Sequence, residues 1–123
     1  MILQFDFSSD VPIYQQIRNQ IVIGISSGQL QADEKLPTVR ALAEESGINV
    51  MTVSKAYNLL KQEGYITTDR RKGAVVAHRQ DAPKVKDETI AALRLSISEL
   101  RLAGMSKQQV TQLLETLCKE AGL

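Results

Sequence analysis

The chain has 123 residues, of which 43% are apolar and 24% charged, and its formal net charge is +1. This composition is typical of a globular protein, and the length suits one domain or one compact domain with an appended piece. The single cysteine, Cys118, excludes an intramolecular disulfide and favours a reducing, cytoplasmic setting. The opening MILQFDFSSD resembles no signal peptide, and no stretch approaches the ~18 to 20 apolar residues of a membrane helix. We therefore expect no membrane partner.

The charged side chains are unevenly distributed. Residues 1–49 carry three basic and six acidic side chains (net −3), residues 50–79 carry six and two (net +4), and residues 80–123 carry six of each. A local concentration of positive charge predicts contact with a polyanion. A basic turn that is simply solvated would give the same pattern.

The first predicted helix covers roughly residues 11–27. Four isoleucines recur every four positions, which indicates one helix face: Ile13, Ile17, Ile21 and Ile25. We expect Ser8, Ser9 or Asp10 to cap its start and Gly28 to end it.

Two helices follow, separated by a turn that contains Gly47. The first, roughly 38–46, has Thr38 as its cap, and the second, roughly 50–63, has Asn49 as its cap and Gly64 as its end. Spacings of three and four predict a buried stripe on the longer helix: Val50, Val53, Tyr57 and Leu60. At about 100° per residue the opposite face contains Met51, Lys55, Asn58 and Gln62, with Thr52 at its edge.

Two short extended runs come next, YITT and AVVA, and the basic segment DRRKG joins them as a hairpin. A short helix, a glycine-containing turn and a second helix make a helix-turn-helix, and the hairpin adds a wing. Such a helix can enter the major groove of DNA, while basic residues of the wing contact phosphates or the minor groove.

The remainder predicts a linker at 78–86 and two helices in 87–123. The first of these helices is apolar on two sides, with Ala91, Leu95 and Leu102 on the second side, and two helices alone cannot cover both. We therefore predict that residues 87–123 form a dimerisation domain, although the second stripe could instead dock on the N-terminal domain of the same chain. The residues predicted to make the dimer are Ile90, Leu93, Ile97, Leu100, Val110, Leu113, Leu114 and Leu117.

The segment KLPTVRALAEESGINVMTVSKAYNLLKQEGYITTDRRKGAVV resembles the DNA-binding domain of GntR-family bacterial transcription regulators. The matching positions are Leu36, Pro37, Arg40, Leu42, Ala43, Gly47, Asn49, Thr52, Val53, Ala56, Tyr57, Leu60, Gly64, Ile66 and Gly73. The resemblance covers residues 11–77, and the short two-helix remainder looks like the YtrA subfamily, whose tail serves for dimerisation. It implies a mainly α fold with a small β-hairpin wing, made of a winged helix-turn-helix domain at 1–77 and a helical dimerisation hairpin.

The resemblance implies a homodimeric, sequence-specific regulator, expected to act as a repressor on an inverted-repeat DNA operator. Its DNA-binding residues would be Arg40, Asn49, Met51, Thr52, Lys55, Arg70, Arg71, Lys72 and Gly73. Tyr57 is interpreted as core packing. A pairing of Arg40 with Glu44 in the same helix would be worth only a few tenths of a kcal/mol, so it explains Arg40 less well than a DNA contact does.

The alternative function is a winged-helix protein-interaction or assembly module without sequence-specific DNA binding. An enzyme is not expected, because the sequence has no Cys/His cluster at metal spacing, no Ser-His-Asp set and no glycine-rich phosphate loop. We expect no cofactor and no metal, so neither the lone His78 nor Cys118 is assigned a ligand role. An unknown small-molecule effector, the operator sequence, the sign of regulation and redox sensing by Cys118 stay open.

Overall fold

The computed structural model describes residues 3–78 and 83–123. The chain forms two compact units, Met1–Pro83 and Lys84–Leu123, which we call the N-terminal and C-terminal units. The N-terminal unit contains α1 (Ile13–Ser26), α2 (Val39–Ser46), α3 (Val50–Glu63), β1 (Ile66–Asp69) and β2 (Gly73–Val76). The C-terminal unit contains α4 (Asp87–Leu102) and α5 (Lys107–Glu120). The mainly α fold with one small hairpin is as predicted.

The boundaries of α2 and α3 follow the predicted local signals. The Thr38 side chain accepts a hydrogen bond from the Ala41 N–H, and the Asn49 side chain accepts one from the Met51 N–H. Each helix ends at a glycine in the left-handed region, Gly47 at φ 70° and Gly64 at φ 88°. These caps satisfy backbone groups that a helix end leaves without a partner.

The start of α1 differs from the prediction. Its N-cap is Pro12, with no side-chain cap, so Ser8, Ser9 and Asp10 do not cap the helix. Instead, two glutamines of α1 hold the N-terminal segment through their side-chain amides. Gln16 accepts from the Asp6 N–H and donates to the Asp6 carbonyl, and Gln20 makes the equivalent pair of bonds with Gln4. Backbone groups that lack a strand partner are thereby satisfied.

The core of the N-terminal unit lies where α1, α2 and α3 meet the hairpin. Its largest fully buried side chains are Ile17, Ile21, Leu36, Leu42, Leu60, Ile66, Val53 and Val76. The predicted stripe on α3 is buried from Val53 onwards and includes Ala56. Val50 was wrongly included, because this first residue of the helix is 47% exposed and extends past the core.

The hairpin strands pair antiparallel, from Ile66 opposite Val76 to Asp69 opposite Gly73. A third extended segment, which the sequence pattern did not reveal, runs along β2. Lys35 bridges to Val75, and the Leu36 N–H donates to the Ala74 carbonyl. The segment that leads into α2 is thus attached to the wing.

The C-terminal unit is a hairpin of two helices. Ser106 and Gln109 form a capping box at the start of α5, in agreement with the predicted cap. Neither helix contains a buried residue. Part of the predicted linker, residues 79–82, lies outside the described residues. Among the helices that the structure describes, none is both long and apolar enough to cross a membrane.

Candidate nucleic-acid interface

The outer face of α3 presents three of the predicted DNA-binding side chains together. Met51, Thr52 and Lys55 line one shallow concavity of about 450 Å³. Met51 is 75% exposed, and Asn49 precedes it as the cap. Ser54 and Asn58, which were not predicted as contacts, line the same concavity. The face therefore combines hydroxyl, amide, cationic and apolar groups, which are the groups that read base edges.

Lys55 has a partner that the sequence pattern did not reveal. Its Nζ lies 4.1 Å from the centroid of the Tyr14 ring on the first turn of α1. A cation over an aromatic face is attracted by the ring, by about 0.5–1 kcal/mol at an exposed site. Tyr14 thus restricts where the Lys55 ammonium group points, and α1 contributes to the shape of the interface.

Arg40 is the second residue of α2 and is exposed. Within residues 3–78 and 83–123, the contacts between basic and acidic side chains join Arg18 to Glu63 and His78 to Asp33, so Arg40 is not paired with Glu44 there. The intrahelical alternative weighed for Arg40 is therefore not what the structure shows. The guanidinium is available to an external anion.

Tyr57 on α3 connects the two helices of the helix-turn-helix. Its hydroxyl donates to the Pro37 carbonyl at 2.7 Å, directly before the Thr38 cap of α2. Burial, with the Glu45 carboxylate as a smaller cause, raises the pKa of Tyr57 to about 12. The phenol is protonated at any ordinary pH, so the hydroxyl remains a donor. Tyr57 is core packing, as predicted, and it is also a hydrogen-bond donor to the start of α2.

The tip of the wing presents Arg70, Arg71 and Lys72, which are all exposed. Asp69 builds the turn, because its Oδ1 accepts from the backbone N–H groups of Arg71 at 2.7 Å and Lys72 at 3.1 Å. The bond from Arg71, and to a smaller extent that from Lys72, holds the pKa of Asp69 below its usual value, so the carboxylate stays ionised. Gly73 adopts φ 82° where β2 begins, a conformation that glycine takes without strain.

The predicted dimerisation residues all lie on α4 and α5 and none is buried. Ile90, Leu93, Ile97 and Leu117 are 40–47% exposed, while the other members of the set are partly buried: Leu100, Val110, Leu113 and Leu114. Cys118 is also exposed. The C-terminal unit therefore has an exposed apolar surface. Large surfaces of this kind are rare on monomeric proteins and often mark an interaction site.

The described residues do not form a metal site. Across residues 3–78 and 83–123, no three His, Cys, Asp or Glu side chains are placed to hold a metal ion. His78 Nε2 instead lies 2.9 Å from Asp33 Oδ1. The groups that the structure offers to a partner are cationic, amide, hydroxyl and apolar.

The model of a known family, described as bacterial regulatory proteins of the gntR family, matches residues 13–76. This span is just over half of the chain. The chain belongs to the GntR family. It is therefore a regulator whose N-terminal unit is a winged-helix DNA-binding domain, as the resemblance implied.

Individual relatives extend this assignment beyond the matched span. The transcriptional repressor YtrA of Bacillus subtilis is 41% identical over 76 residues, which cover 62% of this chain and 58% of YtrA. The structure of YtrA from Sulfolobus acidocaldarius, a GntR-family transcription factor, covers 98% of this chain and 100% of its own, with a TM-score of 0.60 and 35% identity. This chain is thus similar to YtrA in both units.

A DNA complex is also among the similar structures. The DNA-binding domain of AraR in complex with operator ORX1 covers 63% of this chain and 96% of its own, with a TM-score of 0.55 and 26% identity. The N-terminal unit here therefore has the fold of a domain that has been observed on operator DNA.

Proposed function

We propose that the chain is a homodimeric repressor that binds an inverted-repeat operator and acts by occlusion, in the cytoplasm where bacterial DNA lies. The observation that carries the proposal is the exposed α3 face, on which Met51, Thr52 and Lys55 share one concavity. A helix-turn-helix presents its second helix to the major groove in this way. The repressor name of the similar YtrA protein and the operator complex of the AraR domain support the proposal.

Each interface residue has a proposed role. Asn49, Met51, Thr52 and Lys55 read base edges, with Met51 suited to a thymine methyl group. Arg40 and the wing, Arg70 to Gly73, hold the phosphate backbone. Arg40 suits a phosphate because its guanidinium is exposed and has no ion-pair partner among the described residues.

The dimer is proposed to form through α4 and α5. In the single chain these helices bury no residue, although both carry apolar stripes. A second copy would cover the stripes with the same surface, as two-fold dimers do. Two recognition helices could then enter successive major grooves about 34–36 Å apart, which predicts half-sites one helical turn apart.

Selection of bound sequences from a random duplex pool tests the proposal. Wild type should enrich a two-fold symmetric site, and Arg40→Ala should enrich the same site more weakly, because a phosphate contact adds affinity without reading the base sequence. Lys119→Ala is the matched control, because it also removes one exposed positive charge. Lys119 lies nine positions after Val110 and therefore on the side of α5 opposite this residue of the predicted dimer interface. Enrichment of no site by wild type would contradict the proposal.

Charge reversal at the wing separates this function from a protein-interaction module. Charge reversal at all three positions, Arg70→Glu, Arg71→Glu and Lys72→Glu, should abolish DNA binding at moderate salt, because three phosphate contacts of each protomer become repulsive. A docking module would show only weak, non-specific binding to duplex DNA before the change, so there would be no tight binding to lose. Fluorescence anisotropy with a labelled duplex, at several salt concentrations, measures the difference.

A further inference from the structure

We propose that Tyr57 is a positioning residue for DNA binding, and that its hydroxyl acts through Arg40. The inference rests on the proposed function, since it concerns how Arg40 reaches a phosphate. Tyr57 is 2% exposed, so it does not touch DNA itself. Its effect is transmitted by the 2.7 Å hydrogen bond to the Pro37 carbonyl.

The bonded carbonyl lies at the point where the orientation of α2 is determined. Pro37 immediately precedes Thr38, whose side chain caps α2 by accepting from the Ala41 N–H. Arg40 is in the first turn beyond that cap. Tyr57 lies in the middle of α3, and its bond to the Pro37 carbonyl therefore fixes the start of α2 relative to α3. The backbone position of Arg40 is fixed with it.

The segment before α2 is held on its other side by the wing. Leu36 is buried, and its N–H donates to the Ala74 carbonyl of β2. Pro37 adds a fixed φ, because its ring removes that freedom. The residues that lead into α2 are thus anchored to β2 through Leu36 and to α3 through the Tyr57 hydroxyl. The bond from the Tyr57 hydroxyl is the one that fixes the position of Arg40 relative to the base-reading face of α3.

Positioning matters here because binding groups must be held within about 0.5 Å of their productive geometry. Loss of the hydroxyl leaves the aromatic ring in the core but removes the link to α2. Arg40 would then reach its phosphate from a range of positions. Phenylalanine separates the two roles of Tyr57, since it keeps the ring and lacks the donor.

A double-mutant cycle tests the proposal on the duplex that wild type enriches in the selection. The four proteins are wild type, Tyr57→Phe, Arg40→Ala and the double variant, and the readout is Kd by fluorescence anisotropy. We expect Tyr57→Phe to weaken binding about 5- to 10-fold in the wild-type background and less than about 2-fold in the Arg40→Ala background. Tyr65→Phe is the matched control and should leave Kd unchanged.

The salt dependence provides a readout that a purely structural role would not change. Both protomers of the dimer carry each substitution, so two phosphate contacts are lost per operator. The slope of log Kd against log salt concentration should therefore fall by about 2 for both Tyr57→Phe and Arg40→Ala. A partly unfolded variant would instead raise Kd by a similar factor at every salt concentration, with the slope unchanged. The slope therefore remains informative even if Tyr57→Phe is less stable.

The outcomes also distinguish this inference from the proposed function. If wild type enriches no duplex, the proposed function fails and the inference fails with it. If wild type binds but Tyr57→Phe has no effect, has the same effect in both backgrounds, or leaves the slope unchanged, the inference alone is overturned.

Discussion

The two units of the chain differ in how they cover their apolar residues. The N-terminal unit buries a complete core within one chain, from Ile17 on α1 to Val76 on β2. The C-terminal unit has apolar stripes on both helices and buries none of them. The difference shows that the first unit has its own core, and it supports the proposal that the second unit packs against a second copy. DNA binding and the proposed assembly thereby fall in separate parts of the sequence.

The largest expected effect is in the core of the N-terminal unit. Leu60→Ala should lower its free energy of unfolding by about 2–5 kcal/mol, because Leu60 is fully buried and its removal leaves a cavity. All three tyrosines, Tyr14, Tyr57 and Tyr65, lie in this unit, so tyrosine fluorescence in urea reports on it selectively. Leu95→Ala, at an exposed position of α4, is the matched control. An equal loss in both variants would contradict the division between the units.

The second prediction concerns assembly. Ile97→Glu should raise the dissociation constant of the dimer roughly 100-fold, because a carboxylate would enter the apolar interface between copies. Sedimentation velocity measures the change, and the tyrosine-reported unfolding of the N-terminal unit should stay within about 0.5 kcal/mol. Leu123→Glu, at a position that is 88% exposed, should leave the dimer intact. A wild-type chain that is monomeric at high concentration would rule out the proposed dimer.

Local signals in the sequence predicted most of the elements. The caps at Thr38 and Asn49 and the stops at Gly47 and Gly64 depend on neighbours within a few positions, so they could be found without a structure. The bonds of Gln20 to Gln4 and of Tyr57 to Pro37 join residues 16 and 20 positions apart, and no periodic pattern reveals them. The contact between Lys55 and Tyr14 likewise depends on the packing of α1 against α3. The exposed positions of the proposed contact residues were therefore predictable from the sequence, while the groups that hold these residues were not, and their contact with DNA stays a prediction.

The third prediction concerns alkaline pH. The folded pKa of Tyr57, about 12, lies above the ordinary value of 10.0, so folding favours the protonated phenol. This contribution is fully present below pH 10 and is lost as the pH rises towards 12; it is on the order of 2–3 kcal/mol. Wild type should lose that much more stability between pH 10 and 12 than Tyr57→Phe, measured by circular dichroism in urea. Identical curves for the two proteins would contradict the assignment.

The smallest expected effects compare two polar side-chain contacts of the N-terminal unit that differ in burial. Arg18 and Glu63 join α1 to α3 through bonds of 2.8 and 3.1 Å, and their side chains are only 18% and 11% exposed. Arg18→Met should cost about 1.5–3 kcal/mol, because it removes two hydrogen bonds between charged groups at a largely buried site. His78 and Asp33 are 51% and 54% exposed, so Asp33→Asn should cost less than about 1 kcal/mol. Asparagine tolerates the φ of 65° at this position, so the substitution removes the charge without adding backbone strain. Urea unfolding followed by tyrosine fluorescence measures both variants, and equal losses would show that burial does not determine the strength of these pairs.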